Sequence, residues 1–153
     1  MLMADPAAAL AETSRVLAEG GRVAFSVWGD SKLNPWSGIP SRVLLEHTGG
    51  APPDPYAPGI FAMASEDRTR ELLEGAGLEP SRIESVEMAW RFDSLDAYWH
   101  YVTDLAGAVA MRLRTLPDED QRAVRDEVER RVQPHAEGDG YHFPGMCLNV
   151  LAV

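Results

Sequence analysis

Histidine, tryptophan and tyrosine are the side chains here with the means to act on a small molecule. Four histidines occur, His47, His100, His135 and His142. His142, beside Tyr141, is the best candidate for a general base, because an imidazole titrates near neutral pH and can take a proton from a hydroxyl or an amine. His100 falls on the polar face of a predicted helix and reads as a solvated side chain. His47 closes a short helix, where a cation meets the C-terminal end of the dipole, and His135 lies in a predicted loop. No two histidines have the spacing of metal ligands, and Cys147 has no ligand-type residue near it. Asp118-Glu119-Asp120 reads as the first turn of a helix, with no second acidic cluster at cation-binding spacing. No metal site is expected. A serine hydrolase is set aside as well: there is no G-x-S-x-G elbow, and Ser26 and Ser37 stand in other contexts.

The aromatic residues are the other chemical resource. Trp28 and Trp36 flank a proline-rich loop at the C-terminal end of a predicted strand, where open α/β sheets bind ligands. Tyr98 and Trp99 project from the apolar face of a predicted helix and, with Tyr141, could line a pocket for an organic molecule. Packing in the core explains the same pattern.

The elements that must position these residues are bounded by caps and periodicity. Asp5 as N-cap, Pro6 in the first turn and Gly20-Gly21 as the stop enclose a helix with Leu10, Thr13, Val16 and Leu17 on one stripe. Val23, Phe25 and Val27 then alternate with small residues over 22–28, which predicts a strand buried on both faces. Helix, Gly-Gly turn and strand form the closing half of a βαβ unit and point to a parallel sheet. Residues 29–64 carry Pro35, Pro40, Pro52, Pro53, Pro55 and Pro58 and read as an irregular, aromatic lid with one short helix, about Ile39 to His47. Ser65 caps the next helix, with Leu72, Leu73 and Ala76 inward and Gly77 as its stop. Leu78 to Phe92 is a predicted strand. From Ser94 a helix carries Leu95, Tyr98, Trp99, Val102, Leu105, Ala106 and Val109 on one face, with a break or bend at Gly107. Pro117 opens a surface helix with a thin stripe of Val124, Val128 and Val132, and Tyr141 to Val153 is the closing strand.

Charge and length restrict the function. Across 153 residues, 24 Asp+Glu against 14 Lys+Arg leave a net charge of −10. That balance argues against nucleic acid and against anionic membranes, both of which need a basic face. The 45% apolar content rules out wholesale disorder. A single cysteine excludes an internal disulfide framework and suggests a reducing cytoplasm. No signal peptide is recognised at the start, and the apolar runs are too short to span a bilayer.

Three segments resemble class I S-adenosylmethionine-dependent methyltransferases. Pro6-Ala7-Ala8-Ala9-Leu10-Ala11-Glu12, Arg15-Val16-Leu17 and Gly20-Gly21-Arg22-Val23-Ala24-Phe25 match the helix after that family's fourth strand and its entry into the fifth. Glu19 stands where the family usually has proline. Phe25-Ser26-Val27-Trp28 with Asn34-Pro35-Trp36, the helix Arg70 to Leu78 and the turn Gly138-Asp139-Gly140-Tyr141 look like the ubiquinone- and menaquinone-biosynthesis branch. The resemblance runs from about Met3 to Val153.

The resemblance implies a seven-stranded sheet, a Gly-rich loop after the first strand for the cofactor, and an acidic residue after the second for its ribose. Neither is present, since no G-x-G-x-G follows a strand. The expected fold class is therefore α/β: a partial Rossmann-like methyltransferase sheet, strands 5-7-6, mixed parallel and antiparallel, with helical insertions. Residues 1–153 would be one partial domain, the C-terminal half of a fold of perhaps ~250 residues, with a loop-and-helix insertion at 29–64 and a helical lid at 94–137. By the same resemblance S-adenosylmethionine is the methyl donor and a small organic molecule the acceptor. Positioning would dominate the rate, with Trp28, Trp36, Tyr98, Trp99 and Tyr141 on the acceptor side. The chain alone is not expected to bind the cofactor. The alternative is a non-catalytic module that binds a small molecule or dimerises. Either way the outer edge of strand 22–28 is left open, which predicts a homodimer or higher oligomer.

Overall fold

Asp5 accepts a hydrogen bond from the Ala8 amide and Pro6 occupies the first turn, so α1 (Pro6–Val16) begins where its cap dictates. The computed structural model describes residues 1–52, 54–105 and 107–153. Pro53 of the proline-rich stretch and Ala106 of the predicted helix face lie outside the described residues. After α1 come β1 (Val23–Trp28), a 3-10 turn at Ser31–Leu33, α2 (Pro35–Thr48), α3 (Glu66–Gly75) and β2 (Pro80–Phe92). Then follow α4 (Leu95–Asp104), α5 (Ala108–Leu113), α6 (Asp118–Val132), a 3-10 turn at Gln133–His135, β3 (Ala136–Glu137) and β4 (Gly140–Ala152). The chain divides into two compact units.

The first unit comprises Met1–Leu33, Pro53–Met88 and Met146–Val153. The sheet path is β1-β4-β2. Val23 lies opposite Ala152, Phe25 opposite Val150 and Val27 opposite Leu148, in an antiparallel register. These residues form one face, and Leu10 of α1 and Leu72 and Leu73 of α3 pack on it in a single cluster with Met63 and Leu78. Glu79 and Val153 exchange backbone hydrogen bonds of 2.8 and 3.0 Å, the pattern of antiparallel neighbours.

Two expectations change here. The strand over 22–28 is covered on one face only: Ala24 and Ser26 are exposed. α1 and α3 both pack on the Val23–Phe25–Val27 face, and residues as small as Ala24 and Ser26 do not demand cover. The parallel sheet expected from the helix-turn-strand order is not what the described ladders form, since β1–β4 and β3–β4 are both antiparallel.

The second unit comprises Asn34–Pro52 and Ala89–Gly145. Its first element corrects the reading of 29–64 as mostly irregular, because α2 runs 14 residues rather than the short Ile39–His47 segment. Pro35 suits the first turn, and the Asn34 carbonyl accepts the amides of Ser37 and Gly38 at 3.1 and 2.9 Å. Pro40 lies inside the helix without ending it. Lacking an N–H, it cannot serve the Trp36 carbonyl four residues back; the Tyr98 hydroxyl donates to that oxygen instead, at 2.8 Å. α4 and α5 part at Gly107, where φ is +50°, a conformation that favours glycine. α6 buries the predicted stripe of Val124, Val128 and Val132 and packs on α2, with Arg131 holding Glu46 at 2.5 Å and His47 bonded to Asp120 at 2.9 Å. β3 and β4 close a hairpin with Glu137 opposite Gly140.

Candidate functional site

The second unit gathers its aromatic side chains by three simple periodicities. Trp90 and Phe92 alternate along β2 and lie nearly parallel, 8° apart, with centroids at 6.3 Å. Tyr98 and Tyr101 are three residues apart on α4, so they share a helix face. Tyr141 and Phe143 alternate along β4, 15° apart. Trp36 of α2 meets Trp90 at 5.0 Å and Tyr101 at 5.9 Å. Tyr98 meets Phe92 at 5.0 Å and Phe143 at 4.8 Å.

Burial sorts this cluster into a floor and a rim. Tyr98 and Phe143 are 0% exposed and Trp36 only 2%. Trp90, Phe92 and Tyr101 are half-buried. The Trp36 indole N–H donates to Asn34 Oδ1 at 3.1 Å, and Asn34 is itself buried. Burial, with the neighbouring Tyr101 second, pushes the Tyr98 phenol well above its ordinary range, so it stays a neutral donor to the Trp36 carbonyl. Burial also raises Tyr101.

Of the residues singled out in the sequence, Trp36, Tyr98 and Tyr141 come together in this cluster. Trp99, on the same helix, turns to a different place: it lines an open pocket of about 320 Å³ with Asp118, Gln121, Arg122 and Arg125 of α6. Trp28 belongs to the first unit, at the end of β1 opposite Cys147. His142 stands on β4 with Nδ1 3.4 Å from Glu137, a carboxylate that also takes Arg91 at 3.0 Å. Burial, reinforced by nearby His142, holds His135 below the usual imidazole range. His100 is exposed.

Trp90, Phe92, Tyr101 and Phe143 join the cluster without having been picked out as site residues. Period two along β2 and β4 and the three-residue step from Tyr98 to Tyr101 were the available signals. What was missing is the pairing of those faces. Among the described residues no group of three His, Cys, Asp or Glu could hold a metal ion, and no helix is long and apolar enough to cross a membrane.

The glycines test the fit to S-adenosylmethionine. Gly20, Gly49, Gly77, Gly107 and Gly138 have positive φ, and each follows a helix or closes the β3–β4 hairpin. None leads from a strand into a helix N-terminus, the place where a glycine loop cradles a nucleotide. Gly29 does follow β1, but the space a Cβ would take there meets Met146, with Cε 2.5 Å away. The described residues do not form a cradle for this cofactor.

No protein-family model matches the chain, and no curated protein matches it. The fold is similar to that of a candidate methyltransferase of Bacillus halodurans C-125, with a TM-score of 0.50 at 15% identity over 96% of this chain. The chain spans 62% of that protein's length. At that identity the likeness concerns the fold alone: this is an α/β chain with a methyltransferase-like fold.

Proposed function

We propose that this chain is the acceptor-facing part of an S-adenosylmethionine-dependent methyltransferase of the quinone-biosynthesis-like branch, acting on a small organic molecule in the cytoplasm. The carrying observation is the sheet path β1-β4-β2 with β4 antiparallel to β1, in a chain whose fold resembles a candidate methyltransferase over only part of that protein's length. β1, β4 and β2 then correspond to the family's fifth, seventh and sixth strands. The cofactor loop belongs to the remainder of such a fold, which agrees with the poor fit of the glycines here. The half-buried Trp90, Phe92 and Tyr101 of the second unit are assigned to the acceptor side, over the buried Trp36 and Tyr98. His142, with Nδ1 beside Glu137, is assigned to take the proton that a hydroxyl or amine acceptor must lose, at Nε2.

The test is calorimetry on the 153-residue chain with S-adenosylmethionine and, separately, with a small phenolic acceptor. The phenol should bind with saturable heat, and Tyr101→Ala should weaken it about tenfold or more, corresponding to ~1.4 kcal/mol, whereas S-adenosylmethionine should give no saturable heat. Saturable micromolar binding of S-adenosylmethionine contradicts the half-fold reading. No saturable heat with the phenol favours a non-catalytic dimerising module.

A further inference from the structure

The second unit holds a pocket that the proposed function does not use. Asp118, Gln121, Arg122 and Arg125 follow one another along α6 at the three- and four-residue steps that bring side chains onto one helix face. With the half-buried Trp99 of α4 they line an open space of about 320 Å³, which is at the small end of ligand pockets, ~300–1,000 Å³. Asp96, three residues before Trp99 on α4, holds Arg125 and so joins the two helices beside the pocket. The Gln121 amide donates to the Leu116 carbonyl at 2.9 Å. Arg122 is held differently: its Nε donates to the Asp118 carbonyl at 3.2 Å. Among the described residues no carboxylate pairs with Arg122, in a chain with 24 Asp+Glu against 14 Lys+Arg.

We propose that this pocket binds a small aromatic monocarboxylate, with its ring against Trp99 and its carboxylate on Arg122. The backbone bond at Nε fixes the plane of the Arg122 guanidinium and leaves its two Nη groups to donate. A carboxylate matches such a planar fork with parallel charge-assisted hydrogen bonds. Trp99 gives the pocket a large flat apolar wall, against which an aromatic ring stacks better than an aliphatic chain does. Arg125 is already neutralised by Asp96 and adds no free positive charge. The Asp118 carboxylate lines the same space and repels a second negative charge on the ligand. A monoanion is therefore favoured over a phosphate or a dicarboxylate. The site is separate from the rim of Trp90, Phe92 and Tyr101, and it does not depend on the methyltransferase reading, whose test is cofactor and phenol binding.

The Trp99 indole N–H resonance, assigned by its loss in Trp99→Phe, reads the site directly. Benzoate added to the 153-residue chain should shift that resonance saturably. Benzyl alcohol keeps the ring without the charge, and acetate keeps the charge without the ring. Each should bind about tenfold more weakly or worse, corresponding to ~1.4 kcal/mol. Arg122 is exposed, so Arg122→Gln should keep the fold and weaken benzoate by the same factor. Arg22→Gln removes an exposed charge from the first unit and should leave benzoate binding unchanged. An indole resonance that benzoate does not move overturns the proposal. So does benzyl alcohol or acetate binding as well as benzoate, or an Arg122→Gln variant that binds benzoate like the parent. Equal weakening by Arg22→Gln and Arg122→Gln would reduce the effect to net charge and overturns it too.

Discussion

The Tyr98 hydroxyl serves a carbonyl that proline left without its usual donor. Tyr98→Phe removes only the oxygen that reaches the Trp36 carbonyl at 2.8 Å and should cost about 0.5–1.5 kcal/mol, the net contribution of one hydrogen bond. Thermal denaturation would show a melting temperature lower by roughly 2–4 °C per kcal/mol. In a Pro40→Ala background the helix supplies its own N–H, so the cost of Tyr98→Phe should shrink. Equal costs in both backgrounds would refute this pairing. His135 provides a pH test at the same scale. Burial favours its neutral ring, with His142 adding to the effect, so its folded pKa lies below the unfolded value of ~6.5. The unfolded chain takes the proton first as pH falls, and stability present above the ordinary imidazole range is lost as pH drops through the folded value. His135→Gln should flatten that part of the stability–pH curve; an unchanged slope would contradict it. Tyr98 stands out in the sequence as an aromatic residue on an apolar helix face, and Trp36 as one flanking a proline-rich loop. Their mutual hydrogen bond does not, because it depends on Pro40 lying inside a helix rather than ending one.

At the scale of the elements, close approach decides what can change. At Gly140, where β4 begins, an added Cβ would sit 2.3 Å from the Phe92 carbonyl oxygen, a backbone atom with no flexible side chain to yield. Gly140→Ala should therefore destabilise the fold by about 1–3 kcal/mol, measurable by urea denaturation; a variant of unchanged midpoint would show that the hairpin shifts freely. Elements bounded by caps were legible in the sequence: Asp5 and Ser65 accept the amide hydrogen bonds that start α1 and α3. The break between α4 and α5 was legible at Gly107 for the same local reason. α2 was not, because prolines counted as breakers are compatible with a helix at its first turn, and at Pro40 a tertiary donor replaces the lost local bond. Nor was the open face of β1 evident. Ala24 and Ser26 are small enough to lie under a second layer or to face water, and periodicity cannot choose between those outcomes.

Across the whole molecule, one sheet path, two helix-bearing units and an acidic net charge of −10 describe a chain with a methyltransferase-like fold. The local motifs of α1 and β1 carry that resemblance in the sequence, since caps and a Gly-Gly turn are written in neighbouring residues. The aromatic cluster is assembled from β2, α4, β4 and α2, distant in sequence and joined only by folding. Its floor is buried as tightly as any core, so burial assigns packing to Tyr98 and Phe143, and the half-buried rim of Trp90, Phe92 and Tyr101 is where a ligand could make contact. The central proposal is that this rim belongs to the acceptor side of a methyltransferase and that the chain does not itself hold the methyl donor. Titration of the 153-residue chain with S-adenosylmethionine by calorimetry tests it most directly. The account predicts no saturable heat; one-to-one saturation at micromolar concentration would contradict it.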